Sequence, residues 1–527
     1  MTEAERYLNK RQDLVSRERA LRFDSGPIAN ATPQELRASK IIQNVRAQET
    51  EEIWGADSEK LMYPGMEFLV AKQTIVNTRL YQIVKKMPKG ALLHGHMDAM
   101  YDAKFLYGLA LQYPNMHIRV SSHITSDSPF PPPYFEALSP ELTAIYANTP
   151  SLTASNYNPG TWISLNRARE EFGLGGPEEF DKWVVGAMMI DPGEAYAEYN
   201  TSAKIWKKFQ STFSVVESIM RHAPIAKTYQ RQVMMSAVED GVSYLEIRFG
   251  FPRFGIREDG SKTMQHRDWI IMFQEAVDET KKHVREQGRE DDFVGAKIIY
   301  TALRFMTNEQ IVWYYEDCMK LKEEFPHVIA GFDLVGHEDT GRPLIYYAES
   351  LLNFQAEARK RGLDIPFVFH AGETLDDGGD VDSNLYDAIL LGTKRIGHGF
   401  SLAKHPLLMQ MCKEQGIAIE VCPISNEILR LTSSMPTHPL PILLNNGLAV
   451  ALGPDDPSIF GNLTLSFDFY QVIVSSEVTN VLSLGQMARK SLEHSLLSEA
   501  EKARAISHWE KCWAKFVDEI IEQYENV

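Results

Sequence analysis

Two pairs of side chains at the ends of apolar segments could bind a metal ion or transfer a proton. His94 and His96 flank a single glycine, and because residues i and i+2 of a strand point to the same side, both imidazoles can reach one ion. His370 and Glu373 end a later segment, where the histidine can supply a third nitrogen ligand. Each pair alone also has a simpler explanation: chance produces H-x-H patterns, and a strand end can carry a solvated glutamate.

Two further segments add an imidazole and a pair of carboxylates. The segment RIGHGF begins with Arg395 and places His398 between glycines, which allow the backbone and a ligand to approach closely. The segment LGPDDP contains Asp455 directly before Asp456. Adjacent carboxylates repel each other unless a cation or hydrogen-bond donors compensate, so a metal ion on one of them is an alternative to a simple turn.

Taken together, these side chains predict a zinc site. Three imidazoles and one carboxylate form a nitrogen and oxygen ligand set that suits Zn²⁺ and leaves one position for water. Zinc lowers the pKa of such a water to about 7, which makes hydroxide available at neutral pH. The residues therefore predict a metal-assisted hydrolase, and their spacing leaves its substrate open.

The positions of these segments also predict the fold that must hold them. Short apolar runs alternate with helical stretches, and each run ends in polar residues. The runs cover 91–99, 243–250, 296–305, 328–338, 366–374, 394–400, 417–426 and 448–457. Runs that are apolar on both faces and separated by helices are typical of a parallel sheet, and eight of them indicate an α/β fold, a closed (β/α)8 TIM barrel with its active site at the carboxyl ends of the strands.

The first 88 residues predict a helical N-terminal extension. Tyr7, Leu14 and Leu21 recur every seven residues, which places them on one stripe of a first helix. Further helices are predicted at about 33–53 and 65–87. The extension either packs onto a larger core or forms a dimerisation arm, because an isolated long helix needs a partner for its apolar stripe. We expect a homodimer through these helices.

The remainder is predicted to be one barrel domain over 89–510, followed by the end of a C-terminal helix over 511–527. The gap between the first two runs is too long for one βα unit, and about 120–185 form an insertion rich in Pro, Ser, Thr and Asn. Since the insertion leaves the top of the first strand, it is either a surface excursion or a lid over the site.

Composition and charge exclude several classes of protein. The 527 residues include 54 Lys and Arg against 71 Asp and Glu, a net charge of −17, which gives no counterion-release affinity for nucleic acids or anionic membranes. Four scattered cysteines form no C-x-x-C pair, which excludes a disulfide scaffold and a thiolate zinc knuckle. Residues 1–26 lack the apolar region of a signal peptide, and no run approaches the about 18 apolar residues of a membrane span. We expect a cytoplasmic protein.

The motifs LLHGHMDA, GHED, FHAGET, RIGHGF and LGPDDP together resemble the adenosine deaminases of the metal-dependent hydrolase superfamily. The longer segments MPKGALLHGHMDA, FDLVGHEDTGRPL and NLYDAILLGTKRIGHGF are similar to the adenosine deaminase-related growth factor branch, as are the helical extension and the insertion after the first strand. The resemblance spans roughly residues 88–500. It implies hydrolytic deamination of adenosine, and of 2′-deoxyadenosine, to an inosine nucleoside and ammonia.

The resemblance also implies a role for each candidate residue. One zinc ion per chain would be held by His94, His96, His370 and Asp455. Glu373 would protonate purine N1, which makes C6 electrophilic, and His398 with Asp455 would orient the attacking hydroxide.

Three more residues would contact the substrate. By the same resemblance, Asp456 would hydrogen-bond purine N7, the backbone of Gly336 would meet N3, and Asp98 would lie near the ribose 5′-hydroxyl. The partner expected for the chain is therefore a small purine nucleoside, with no nucleic acid and no membrane.

Two alternative functions differ from adenosine deamination. One is deamination of AMP or another 6-aminopurine by the same chemistry, and the other is a signalling protein that keeps the barrel without activity. The second is disfavoured because all metal ligands and the acid are present. A 5′-phosphate would be repelled by Asp98, so AMP requires a cationic clamp. The candidates for that clamp are Arg253, Arg304, Lys204, Lys207 and Lys208.

Overall fold

Parallel strands form a closed barrel at the centre of the described chain, which comprises residues 1–55 and 62–524 of this computed structural model. The strands are β1 (Gly90–Leu92), β2 (Met116–Arg119), β3 (Tyr134–Ala137), β4 (Ile163–Ser164), β5 (Val242–Phe249), β6 (Gly295–Leu303), β7 (Ile329–Val335), β8 (His370–Ala371), β9 (Arg395–His398), β10 (Ala418–Val421) and β11 (Val450–Leu452). Two parallel sheets have the orders β1-β5-β6-β7 and β8-β9-β10-β11. Parallel bridges between Phe332 and Phe367 and between Gly95 and Asp455 join their edges. The predicted (β/α)8 barrel is confirmed.

The barrel strands are apolar because they lie between the barrel interior and the surrounding helices. Every residue of β5 and β7 is buried. The strand predicted over 366–374 is much shorter, since only β8 remains in the ladder. The amide of His370 donates to Asp333 Oδ1 at 3.0 Å and that of Phe369 donates to Thr393 Oγ1 at 3.2 Å. Side-chain acceptors therefore replace the backbone acceptors of a regular strand at this position.

Helices surround the barrel and form the N-terminal extension. Those before β5 are α1 (Glu3–Arg19), α2 (Ser25–Ala29), α3 (Pro33–Glu52), α4 (Phe68–Ile75), α5 (Arg79–Lys86), α6 (Ala103–Ala110), α7 (Pro140–Ile145), α8 (Leu165–Glu170), α9 (Gly176–Gly186), α10 (Ser202–Met220) and α11 (Ala223–Glu239). Those after β5 are α12 (His266–Glu286), α13 (Asn308–Glu324), α14 (Leu344–Lys360), α15 (Asn384–Leu390), α16 (Pro406–Gln415), α17 (Pro423–Ile428), α18 (Leu440–Asn445), α19 (Pro457–Phe460), α20 (Ser466–Val474), α21 (Val481–Glu493) and α22 (Glu499–Tyr524). The segment predicted over 511–527 falls on the end of α22, and 525–527 lie outside the described residues.

The N-terminal extension differs from the sequence prediction at its third helix. The helix predicted over 65–87 is wrong as one element, because it is divided into α4 and α5. Thr78 lies between them in an extended conformation, and its hydroxyl accepts a hydrogen bond from the amide of Tyr81. This N-cap starts a new helix where apolar periodicity alone predicts a continuous one.

α1 and α3 of the extension have different surroundings. α3 begins with a capping box between Thr32 and Glu35 and buries Ile41, Ile42 and Val45 against the rest of the protein. α1, in contrast, buries none of its residues, and Tyr7 and Leu14 are 66% and 64% exposed. α3 therefore packs against the core, while α1 leaves its apolar stripe exposed to solvent.

The insertion after β1 is a structured subdomain. β2 pairs antiparallel with β3 and β4, giving the order β3-β2-β4, and α7, α8 and α9 accompany this sheet. In the described chain, the large cavity at the barrel mouth is lined by α10 and not by residues 120–185. Of the two alternatives for 120–185, this favours a surface excursion over a lid, because the element that covers the cavity follows the insertion. Among the described helices, none has the length and apolar character required to cross a membrane.

Candidate active site

A cavity of about 410 Å³ opens at the carboxyl ends of the barrel strands. Its floor is formed by polar side chains that follow the strands, and α10 covers it with Trp206, Phe209 and Glu217. Trp206 stacks on the imidazole of His337 with the ring centroids 4.1 Å apart. The sequence analysis did not identify this wall, since the periodicity of a helix shows which face is apolar but not which cavity that face covers.

Three imidazoles and one carboxylate converge beneath this cavity. His94, His96, His370 and Asp455 each offer one donor atom, and all four atoms lie within 4.8 Å of one another. Asp455 Oδ1 is 3.2 Å from Nε2 of both His94 and His96. The structure thus brings the predicted metal ligands together from the ends of β1, β8 and β11.

Two glycines of the sequence motifs make room for His94. A Cβ added to Gly397 would lie 2.9 Å from the His94 ring, and one added to Gly453 would lie 2.7 Å from the His94 Cβ. Contacts this close do not occur between real side-chain carbons, so both positions require glycine. The glycines of RIGHGF and LGPDDP therefore let neighbouring strands pack against a ligand imidazole.

The orientation of the histidines fits a zinc ion. His94 Nδ1 is 2.8 Å from Glu420 Oε2, and His370 Nδ1 is 2.6 Å from Asp333 Oδ2. Each carboxylate holds one ring nitrogen, so the Nε2 atoms face the cluster. Within residues 1–55 and 62–524, the buried His94 Nε2 makes no hydrogen bond. Asp455 Oδ1 lies 3.2 Å away, but with the ring proton on Nδ1 toward Glu420 both atoms are acceptors. A buried imidazole nitrogen left unpaired among three other donors is what a bound zinc ion would satisfy.

A buried ion-pair network fixes these two carboxylates. Arg248 lies inside the barrel, 2.8 Å from Asp333 and 2.8 Å from Glu420. Burial alone would raise the pKa of both carboxyl groups. For Glu420 this effect is outweighed mainly by the charge of Arg248, and for Asp333 by His370 and Arg248, so both pKa values lie below their ordinary range. Both groups therefore stay ionised and orient the ligand histidines. The sequence analysis missed them; single charges inside apolar strands, as in GFDLV and AIEV, were the available signal.

A further set of four donors shares two members with the first. His94, His398, Cys422 and Asp455 also lie close enough to surround one ion. Burial raises the pKa of the Cys422 thiol well above its usual value, with the charge of Asp455 adding to the effect. Zinc binding there would have to release the thiol proton inside the barrel, away from solvent, because Cys422 is fully buried. The set that contains His370 needs no such deprotonation and is therefore favoured.

Glu373 lies in the same cavity as a buried carboxylic acid. Burial, followed by the charges of Asp455 and Glu338, raises its pKa well above the usual range, which favours the protonated carboxyl. The loop that carries it is fixed by Glu338, whose carboxylate accepts hydrogen bonds from the amides of Gly372 and Glu373 at 3.2 and 3.0 Å. Glu338, from the GHED motif, was not among the predicted site residues.

A chain of hydrogen bonds fixes the proton of His398. The amide of Leu440 donates to His438 Nδ1 at 3.0 Å, so His438 carries its proton on Nε2 and donates it to Asn426 Oδ1, also at 3.0 Å. The Asn426 amide group then donates to His398 Nδ1 at 3.2 Å. Burial lowers the pKa of His398 well below its usual value, so the ring is neutral. A neutral ring that accepts at Nδ1 has its proton on Nε2, which lies 3.7 Å from Glu373 Oε1.

Backbone strain is concentrated at two of these residues. His398 and Asp455 adopt φ values of 62° and 59°, a left-handed conformation that residues with a Cβ rarely take. Such strain persists only where the surrounding structure enforces it, and it is common at active sites. Here the hydroxyl of Ser425 donates to Asp455 Oδ2 at 2.7 Å and helps to hold that carboxylate.

The three predicted substrate contacts line the same cavity. Burial raises the pKa of Asp98 to about 6. Burial and the charge of Asp455 raise the pKa of Asp456 well above its usual value, and in the described part of the chain its Oδ1 has no hydrogen-bond partner. Gly336 has a φ of 111°, which favours glycine, and presents its backbone to the cavity.

Of the basic residues considered as a phosphate clamp, Arg304 is the one that lines the cavity. Its guanidinium group is buried, donates to the carbonyls of Leu334 and His370, and lies 3.5 Å from Glu338. Lys208 is paired with Glu194 at 2.9 Å instead. Among the described residues lining the cavity, no cation is left without an anionic partner: Arg248 and Arg304 are both ion-paired.

Comparisons with known proteins identify similar sequences over most of the chain. A family model described as Adenosine deaminase matches residues 187–512, and one described as Adenosine/AMP deaminase N-terminal matches residues 1–84. Adenosine deaminase 2-A of Danio rerio is 34% identical over 460 residues, which cover 86% of this chain and 84% of that protein. Adenosine deaminase 2 of Homo sapiens is 32% identical over 513 residues, which cover 97% and 93% of the two chains.

Solved structures share the fold at lower identity. An adenine deaminase from Arthrobacter aurescens has a TM-score of 0.54 and 18% identity, with 81% of this chain and 99% of that chain covered. An amidohydrolase with bound Zn from Burkholderia ambifaria has a TM-score of 0.53 and 15% identity, with 85% and 95% covered. These likenesses agree with the barrel architecture.

Proposed function

Because the chain belongs to the adenosine deaminase family and is a hydrolytic deaminase, we propose that it converts adenosine, and also 2′-deoxyadenosine, to an inosine nucleoside and ammonia with one zinc ion per chain. The observation that carries this proposal is the convergence of the donors His94, His96, His370 and Asp455 in the cavity that also holds a protonated Glu373.

The metal part of the proposal is supported by the chemistry of the donor set. Nitrogen and oxygen donors in a tight cluster, with carboxylates behind two of the imidazoles, suit zinc. When bound, zinc supplies a Lewis acid that makes water acidic enough to attack carbon at neutral pH. His398 presents its Nε2 proton toward the same space and would orient the attacking oxygen by donating a hydrogen bond.

Glu373 would provide the proton that the purine ring needs. An aromatic ring accepts a nucleophile at C6 only when the negative charge developing on N1 is neutralised. A carboxyl group that is protonated at neutral pH can donate a hydrogen bond to N1 and then transfer the proton. Water adds at C6, and the amino group then leaves as ammonia after taking the proton of the added oxygen, which becomes the C6 carbonyl of inosine.

The other edges of the purine have matching groups in the cavity. The partner-free Asp456 carboxyl would hydrogen-bond N7, and the open backbone of Gly336 would meet N3. Asp98 would then lie near the ribose 5′-hydroxyl, on the side of the cavity where α10 contributes Glu217.

The charges at that end favour a nucleoside over a nucleotide. With a pKa of about 6, Asp98 is mostly ionised at neutral pH. One charge pair at ~4 Å and an effective dielectric of ~20 costs about 4 kcal/mol, which corresponds to a discrimination of about 10³-fold. Arg304 is the guanidinium group in the lining that could compensate a phosphate. Its charge is balanced by Glu338 at 3.5 Å, while its Nε and Nη1 make no hydrogen bond in the described part of the chain.

The test compares kcat/KM for adenosine, 2′-deoxyadenosine and AMP, followed by the change in ultraviolet absorbance on deamination. We expect kcat/KM for AMP to be ~10²–10³-fold lower than that for adenosine. This difference should become smaller at high salt and in Asp98→Asn. A kcat/KM for AMP equal to that for adenosine would overturn the nucleoside assignment. No deamination of any of the three by zinc-loaded protein would overturn the proposal itself.

A further inference from the structure

A second cluster of possible metal ligands lies outside the active site. Asp292, His508 and Cys512 each offer one donor atom, and the three atoms lie within 4.8 Å of one another. His508 Nε2 is 3.2 Å from Asp292 Oδ1 and 3.3 Å from Cys512 Sγ. His508 and Cys512 occupy consecutive turns of α22, and Asp292 lies in the turn that precedes β6.

The spacing of these atoms fits tetrahedral zinc. With Zn–N and Zn–O distances of about 2.0 Å and a Zn–S distance of about 2.3 Å, tetrahedral angles require about 3.3 Å between nitrogen and oxygen and about 3.5 Å between nitrogen and sulfur. The observed separations, 3.2 and 3.3 Å, differ from these by only ~0.1–0.2 Å. The third separation, between the Asp292 oxygen and Cys512 Sγ, lies within 4.8 Å, and side-chain rotation would have to bring it to about 3.5 Å to complete the coordination.

The same geometry argues against a nucleophilic triad. In a Cys-His-Asp triad the acid holds one ring nitrogen and the thiol contacts the other. Here the carboxylate and the thiol both approach the same atom, His508 Nε2. Convergence of three donors on one point is an arrangement for a cation and not for a proton relay.

The cluster is held in place by its neighbours. Asp292 Oδ2 accepts a hydrogen bond from Arg289 Nε at 2.7 Å, which leaves Oδ1 to face His508. Arg289 is itself fixed by Glu239 at 2.7 Å. On α22, the indole nitrogen of Trp509 donates to the carbonyl of Pro88 at 3.0 Å, which anchors the helix just before β1.

The cluster lies at the end of the barrel opposite to the active site. Asp292 precedes the first residue of β6 by three positions, and Pro88 precedes that of β1 by two. A cavity of about 290 Å³ borders all three donors and leaves space for water as a fourth ligand. Residues at the amino ends of barrel strands serve stability and not catalysis.

We propose that Asp292, His508 and Cys512 bind a structural zinc ion that joins α22 to the turn before β6. The site is distinct from the proposed catalytic zinc and does not depend on it. Burial raises the pKa of the Cys512 thiol, so the thiol is protonated without metal. Binding forms the Zn–S bond and releases that proton to solvent, and zinc affinity at this site therefore falls as the pH is lowered.

The experiment measures bound metal in the full-length protein. Zinc-loaded wild type should contain one equivalent per chain more than Cys512→Ser or His508→Ala. Cobalt-loaded wild type should show the near-ultraviolet charge-transfer band of a cobalt–thiolate bond, and Cys512→Ser should lose it. Cys422→Ser is the matched control, because Cys422 belongs to the donor set near the active site, and it should keep the band.

Each readout can contradict the proposal. Equal zinc contents in wild type and Cys512→Ser, or a wild-type cobalt spectrum without a thiolate band, would overturn it. A band that disappears in Cys422→Ser and persists in Cys512→Ser would assign the thiolate to the active site instead. The absence of a thiolate band in wild type would overturn the proposal even if a variant failed to fold. Failure of deaminase activity would leave these metal readouts unchanged.

Discussion

Glu427 couples the N-terminal extension to the helix that supports the active site. It lies in α17 beside Asn426, the residue that donates to His398. Its Oε2 accepts hydrogen bonds from the amide of Phe68, at the start of α4, and from the hydroxyl of Tyr196, both at 3.1 Å. A change in the charge of Glu427 should therefore affect how the extension is held to the barrel.

The protonation of Glu427 makes stability depend on pH. Burial raises its pKa from an ordinary 4.5 to about 8, against the smaller effects of its hydrogen bonds and of Arg430, while Glu67 adds to the increase. Because the folded pKa is the higher one, the folded protein loses stability as pH rises from the unfolded value through about 8. For these two pKa values, the free energy of unfolding falls by about 3–4 kcal/mol between pH 5 and pH 8.

Replacing this carboxyl by an amide should remove that loss. Glu427→Gln keeps an oxygen that accepts from Phe68 and Tyr196 but does not titrate. We subtract the free energy of unfolding of wild type from that of the variant, both measured by urea denaturation. This difference should rise by about 3–4 kcal/mol between pH 5 and pH 8. Glu499→Gln, whose side chain is 91% exposed in wild type, is the control and should follow wild type. Parallel curves for Glu427→Gln and wild type would refute the reasoning.

Three further predictions concern the site and the extension. Glu373→Gln should keep the fold and the bound metal and lose about 10²–10⁴-fold in kcat; a kcat within about threefold of wild type would remove Glu373 from proton transfer. A strong chelator should abolish activity and zinc should restore it, while His370→Ala should lower both zinc content and rate; full zinc occupancy in His370→Ala would contradict its role as a ligand. We propose that the exposed stripe of α1 is a homodimer contact. Deleting residues 1–20 should therefore convert a dimer to a monomer in light scattering. An intact protein that is monomeric at micromolar concentration would exclude this contact.

The barrel was predictable because its strands are buried on both faces. A parallel strand inside a layer of helices is mostly apolar, and polar groups then collect where the strand ends. His94, His370 and Asp455 were recognisable by that position alone. The same rule did not identify Asp333 and Glu420, because an apolar run that contains a single charged residue is still predicted to be a buried strand. Their partner Arg248 lies on another strand, and a sequence does not show such pairing.

Long-range assembly explains the other omissions. Thr78 ends one helix and starts the next through a local cap, a signal that the apolar periodicity of 65–87 concealed. The covering role of α10 depends on how the chain returns to the barrel mouth, which periodicity does not specify. The trio of Asp292, His508 and Cys512 joins positions more than 200 residues apart, so no spacing rule for adjacent ligands could have found it.

The balance of buried charge supplies an independent argument for a divalent cation in the active site. Inside the barrel, four carboxylates lie in one connected network with two guanidinium groups. The carboxylates are Glu246, Asp333, Glu420 and Asp455, and the guanidinium groups are Arg248 and Arg395. The neighbouring Glu373 and Asp456 are protonated and His398 is neutral, so they add no charge. Two negative charges remain uncompensated, and leaving them buried would cost several kcal/mol each. One divalent cation beside Asp455, such as the proposed Zn²⁺, would neutralise both and would account for the excess of carboxylates over arginines inside the barrel.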